Sequence, residues 1–203
     1  MAGILANFRN TIIVGLILAV IMMVMYGTGS PHGFDQAFWQ SVFRWAHVFF
    51  GILWIGLLYY FNFVQIRKMP EVPAELKPAV SKYIAPEALF WFRWAALFTV
   101  LAGILLAFSR STEYAIGVLS LGATEGFDPS YVLMGVGVWL AIIMFINVWA
   151  LIWPNQKRAL GIVPADDETK ARSARAAMLF SRTNLLLSLP MLVSMTMQQT
   201  LFG

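Results

Sequence analysis

Long apolar stretches separated by short polar ones set the pattern of this chain. Apolar runs at about 9–27, 37–65, 86–109, 131–153 and 175–201 are each long enough to cross a hydrocarbon layer. A layer ~30 Å thick takes about 20 helical residues. The pattern predicts an all-α integral membrane protein, a bundle of five transmembrane helices forming a single membrane domain over 1–203. The first run follows Arg9 but is long for a secretory signal, and "YGTGSPHG" offers no small-residue cleavage pattern, so it reads as a retained span.

Local residues place the helix ends. Pro86 and Glu87 suit a first turn, where a missing amide hydrogen costs nothing and a carboxylate meets the positive end of the dipole. Pro154 should stop the fourth helix, and Pro190 should kink the fifth by freeing the Leu186 carbonyl. Asp166 or Asp167 should cap the start of the fifth helix. The small pairs Gly103/Ala107 and Gly137/Ala141 permit close helix crossings.

Charge orients the bundle. Segment 66–85 carries Arg67, Lys68, Lys77 and Lys82, and segment 154–174 carries Lys157, Arg158, Lys170 and Arg172. Segment 28–36 has neither lysine nor arginine, and 110–130 has only Arg110 beside Glu113, Glu125 and Asp128. The positive-inside rule then puts the N-terminus in the cytoplasm and the C-terminus in the periplasm of a bacterial inner membrane. Trp39 would mark the outer boundary, and Trp91 and Trp153 the inner one.

Composition agrees with a lipid bilayer as solvent: 60% of residues are hydrophobic, 12% are charged, and the mean hydropathy is +0.73. The absence of cysteine excludes disulfides, thiolate metal sites, iron–sulfur clusters and covalently attached c-type haem within this chain. The net charge of +4 follows from the basic loops and does not point to nucleic acid.

Ionisable side chains inside the apolar runs are the candidates for chemistry. Arg44 and His47 lie three apart on one helical face that continues through Gly51, Trp54 and Leu58. His47 is about 15 Å along the helix from Ala37 at ~1.5 Å per residue. A haem b would suit this face: His47 as axial ligand to the iron, Gly51 leaving room for the macrocycle, and Arg44 pairing with a propionate. The bland alternative has His47 bonded to a neighbouring carbonyl and Arg44 snorkelling outward. A bis-histidine site would need His32, which lies in a polar loop, to fold into the bundle.

A second polar group lies toward the other end: Asn62, Arg93, Asn147, Arg182 and Asn184. Two guanidiniums and three amides at one depth would suit substrate binding of a planar anion, such as a purine oxyanion, or a quinone head. The alternative is arginines reaching lipid phosphates and asparagines linking helices. No catalytic base, nucleophile elbow or phosphate-binding glycine loop stands out.

The segments "RWAHVFFGILWIGLLYYFNFVQ", "APEALFWFRWAALFTVLAG", "GVWLAIIMFINVWALIWPNQKRALG" and "SRTNLLLSLPML" resemble the membrane domain of the bacterial membrane-bound urate oxidase (urate hydroxylase PuuD) family. The W-x-H…W-x-G pattern also resembles HemJ-type protoporphyrinogen oxidases and CopD-like membrane proteins. The urate oxidase resemblance implies oxidation of urate to 5-hydroxyisourate, a purine-catabolism step, with electrons leaving through a C-terminal cytochrome c domain. It carries Arg44 and His47 in the helix-two motif, Arg93 in "WFRW", Asn147 and Asn155 in "NVW…PNQK", and Arg182 and Asn184 in "SRTN". The chain holds no CxxCH and reads as a short form without that cytochrome domain, so a separate cytochrome c or a larger membrane complex is the expected partner. A non-catalytic accessory or anchoring subunit of a respiratory or photosynthetic complex is the competing reading, and a HemJ-like haem-biosynthesis oxidase is a third.

Overall fold

The computed structural model describes residues 2–31 and 33–202, and His32 lies outside them. Five helices are long and apolar enough to cross a membrane: α1 (Phe8–Gly29), α2 (Gln36–Glu71), α3 (Lys77–Arg110), α5 (Pro129–Ala159) and α6 (Asp167–Leu201). A shorter helix, α4 (Thr112–Leu119), lies between α3 and α5. Among the described residues there is no strand.

Every long helix from α2 onward extends past its apolar run. Side-chain caps explain several of the starts. The Asp35 carboxylate accepts from the amides of Ala37 and Phe38, Asp128 accepts from Ser130, and Asp166 accepts from Thr169. Of the two aspartates expected to start α6, Asp166 is the cap. The Ser111 hydroxyl accepts from the Tyr114 amide and starts α4 inside what the hydropathy pattern leaves as a loop.

Pro86 and Glu87 lie in the first turn of the α-helical part of α3, Ala85–Arg110, as expected, although the helix before them begins at Lys77. α5, in contrast, continues through Pro154 to Ala159 instead of stopping there. Each proline follows a π-helical stretch, Val80–Ile84 before Pro86 and Asn147–Ile152 before Pro154. The i→i+5 spacing of a π turn shifts the bonding register, so a residue lacking an amide hydrogen fits at the start of the next α-helical turn. A third π stretch, Tyr60–Gln65, lies in α2. α6 is helical across Pro190.

The core lies among α2, α3, α5 and α6. Trp54, Leu58, Phe92, Ala96, Met144 and Val148 are fully buried there. In hydrocarbon, packing and interhelical hydrogen bonds hold helices together rather than apolar transfer. α6 supplies those bonds through a buried polar stripe at helical spacing: Ser173, Ser181, Asn184, Ser188, Ser194 and Gln198. Ser194 bonds the Leu133 carbonyl, and Gln198 donates to the Ser130 hydroxyl at 2.9 Å. Gly137 lets α5 approach this stripe, since a Cβ there would lie 2.8 Å from Ser194 Oγ. α1 stands apart from this core, with only 6% of its apolar window buried.

Candidate functional site

The bundle has two distinct ends. At one, the basic segments meet where α2 and α5 finish and α3 and α6 begin. At the other, the start of α2 faces the end of α3, α4, the start of α5 and the end of α6.

His47 lies at this second end. Its Nδ1 is 2.9 Å from the Thr99 carbonyl oxygen on α3. A carbonyl only accepts, so Nδ1 carries the hydrogen and Nε2 keeps the lone pair of the neutral ring. Ligating histidines are oriented by such a bond from the non-ligating nitrogen. The ring edge rests on Gly103, where a Cβ would come within 2.9 Å of Nδ1 and 3.0 Å of Cε1. Gly51, the expected source of room, faces Thr99 Cγ2 instead, at 3.8 Å from a Cβ position. The close approach to the imidazole is therefore made by the glycine of the neighbouring helix.

His47, Thr99 and Gly103 form part of the lining of a largely apolar cavity of about 260 Å³. Arg44, Arg110, Met134 and Met195 are among its lining residues. Arg110 is placed by stacking on Tyr114, with its guanidinium carbon 4.3 Å from the ring centre. Arg110, Tyr114 and Gln199 were not legible as site residues, because they come from three separate elements that only the fold brings together. Among the described residues no cluster of three or more His, Cys, Asp or Glu could hold a bare metal ion.

At the basic end, three of the five expected substrate residues bond between helices and a fourth stacks on an aromatic ring. Asn62 donates to the Leu58 carbonyl and to the Ser181 hydroxyl, both at 2.9 Å. Asn147 donates to Asn184 at 2.9 Å, and Asn184 donates to the Met144 carbonyl at 3.0 Å. These asparagines link α6 to α2 and α5. Arg93 lies over the Trp153 ring, its guanidinium carbon 3.3 Å from the centre, with Lys157 at 5.7 Å. Arg182 is exposed, on the side of α6 opposite the fully buried Asn184. Two residues of separation turn a helix by about 200°, which puts these neighbours in "SRTN" on opposite faces.

Residues 106–199 match the family described as "Urate oxidase N-terminal". The resemblance read from "NVWALIWPNQK" and "SRTN" thus holds for the segment that contains them. That segment runs from the last turn of α3 through nearly all of α6, just under half of the chain, and includes Arg110, Asn147, Arg182 and Asn184. Arg44, His47, Asn62 and Arg93 lie before it. No curated protein and no solved structure matches the chain significantly.

Proposed function

We propose that the chain is the membrane module of a urate oxidase-like oxidoreductase, with its basic end in the cytoplasm of a bacterial inner membrane. The observation that carries this reading is the His47 arrangement: one ring nitrogen committed to Thr99, the other left as a donor of electrons to a metal, and Gly103 clearing space beside it.

The residues present fit haem b. His47 Nε2 would ligate the iron, while Arg44 and Arg110 offer two cations for two propionates. The enclosed volume of about 260 Å³ is under the ~300–1,000 Å³ of sites for drug-sized ligands. Ile104, Phe108 and Leu119 of its wall are exposed, however, so the cavity is open on the side where hydrocarbon would lie. When bound, the haem would supply a one-electron redox centre. Around it, Thr99 fixes the imidazole tautomer, Gly103 fixes its position, and the apolar lining excludes water.

Converting urate to 5-hydroxyisourate takes an oxygen from water and releases two electrons and two protons. A separate cytochrome c at the His47 end is the acceptor in this reading. Membranes containing the protein, supplied with urate and oxidised cytochrome c, should reduce the cytochrome, and His47→Ala should abolish that reduction. A folded, haem-loaded protein that leaves cytochrome c oxidised under these conditions overturns the assignment.

One observation favours the accessory-subunit reading instead. α1 is apolar around its whole circumference, with a mean hydropathy of 2.4, and packs little on its own bundle. A colourless protein that co-purifies with a larger membrane complex would support that role.

A further inference from the structure

The π turn at Asn147–Ile152 carries α5 past Pro154, and the added turns place Lys157 four residues beyond Trp153, on the same helical face. The Asn155 side chain supports this stretch by donating to the Leu151 carbonyl at 2.8 Å. Arg93 reaches the same indole from α3. Its guanidinium carbon is 3.3 Å from the ring centre, and Lys157 Nζ is 5.7 Å from it. One tryptophan thus holds two cations from two helices.

Among the described residues no carboxylate is paired with either cation. Glu87, the acid nearest to Arg93 in sequence, accepts from the Trp91 indole at 2.8 Å. The ion pairs at this end, Lys68–Glu71 and Lys170–Asp167, leave Arg93 and Lys157 out. Arg93 Nη1 is buried without a partner, while the residue as a whole is only half-buried. An aromatic face attracts a cation but carries no net charge, so the two like charges still repel. Cations within a membrane-spanning helix ordinarily pair with another group or face water. This pair lines neither the cavity beside His47 nor a second one of about 230 Å³ at the basic end. Its counter-ion therefore has to come from outside the bundle.

Position selects the kind of anion. Trp153 closes the apolar run of α5, the depth at which tryptophans sit between hydrocarbon and headgroups. The long Arg93 side chain brings its charge to that level. Beside it on α3, Trp94 packs edge-on against Trp149 at 5.8 Å and lies 6.1 Å from Phe98. Phe90, Trp94 and Phe98 follow one another at four-residue spacing and are 44%, 37% and 42% exposed, an aromatic ridge turned toward lipid. A soluble anion would use the two charges alone. A molecule with a phosphate at one end and hydrocarbon at the other uses the charges and the ridge together.

We propose that Arg93, Trp153 and Lys157 form a binding site for the phosphate of an anionic phospholipid in the leaflet at the basic end, with an acyl chain lying along Trp94 and Phe98. The two guanidinium and ammonium charges favour a lipid with net negative charge over a zwitterionic one, whose own ammonium would meet them. The site is independent of the redox reading and holds equally for a haem-free protein.

Native mass spectrometry of the protein purified in mild detergent tests this, with phosphatidylglycerol and phosphatidylethanolamine of the same acyl chains. The parent should hold phosphatidylglycerol in preference. The double variant Arg93→Gln, Lys157→Gln should weaken phosphatidylglycerol binding at least about tenfold, at about fivefold for each basic group near a leaflet. Lys68→Gln with Arg158→Gln, which removes the same charge from exposed positions at the same end, should leave it within about twofold of the parent. Where thermal melting shows the first double variant unfolded, Lys157→Gln alone carries the test, with an expected loss of about fivefold. Equal binding of the two lipids by the parent would overturn the proposal, and so would parent-like binding by the folded Arg93 and Lys157 variants. An equal loss in the exposed-charge control would show general attraction to a basic surface and sink the site. Displacement of the bound lipid by millimolar inorganic phosphate or urate, abolished in the Arg93 variant, would make this a soluble-anion site and overturn the lipid assignment.

Discussion

Asn184 is the residue whose replacement most cleanly separates helix clamping from ligand binding. It is fully buried, accepts from the Asn147 amide at 2.9 Å, and donates to the Met144 carbonyl at 3.0 Å. Both polar ends of the side chain are thus spent on α5. Asn184→Leu keeps a similar volume, so the cavity contribution is small and the loss is mainly these two bonds. Interhelical hydrogen bonds in membranes average about 0.6 kcal/mol and reach about 1.7. Two of them give an expected destabilisation of about 1–3 kcal/mol. Reversible unfolding in mixed micelles would measure it, with Asn147→Leu and the double variant completing a cycle. The Asn147–Asn184 coupling should be about 0.5–1.7 kcal/mol. Urate affinity in the folded variant should be unchanged. A variant as stable as the parent but unable to bind urate would refute the clamp and return Asn184 to the substrate site.

Other substitutions probe the packing that positions each site. Gly103→Ala puts a methyl 2.9 Å from His47 Nδ1, so the ring must leave Thr99, and bound haem should be lost or its reduced spectrum shifted; an unchanged spectrum would contradict the role given to Gly103. Gly135→Ala drives a Cβ into the Val118 carbonyl, a backbone atom that cannot swing aside, and should cost about 1–3 kcal/mol in the same unfolding assay. The bond from the Thr169 amide holds the Asp166 carboxyl below its usual range, so its contribution to the start of α6 is present above that range and lost as pH falls through the lowered value. The protection of the Thr169 amide, taken relative to the intrinsic exchange rate at each pH, should therefore hold at neutral pH and fall only in acid, and Asp166→Ala should lower it at neutral pH as well.

Much of the architecture was legible because hydropathy reports solvent directly. Five apolar runs became five helices, and Asp166 capped the last one as its composition suggested. The ends were harder to read, because Pro154 ends a helix by rule yet is passed here, and because π turns before Pro86 and Pro154 carry each helix beyond its apolar run. Those turns depend on tertiary packing and leave no distinct local signal. α4 was hidden in a loop, although Ser111 with Glu113 close behind is a readable helix start.

The site was legible in part. Spacing placed Arg44 and His47 on one face, and both line the same cavity. Its other polar wall, Arg110 with Tyr114, lies more than sixty positions away and could not be paired with them by periodicity. At the basic end, depth alone grouped Asn62, Arg93, Asn147, Arg182 and Asn184, but depth does not give azimuth. A count of helical turns on α6 would have separated Arg182 from Asn184, and would have shown that Ser181, Asn184, Ser188, Ser194 and Gln198 form one stripe.

If the cavity beside His47 is a redox site, a reduced-minus-oxidised absorption spectrum of the purified protein will show it. A Soret band and a reducible α-band of b-type haem are expected, lost in His47→Ala and retained in the exposed-face variant Arg182→Ala. A folded, colourless parent protein, or a haem spectrum unchanged by His47→Ala, would contradict it.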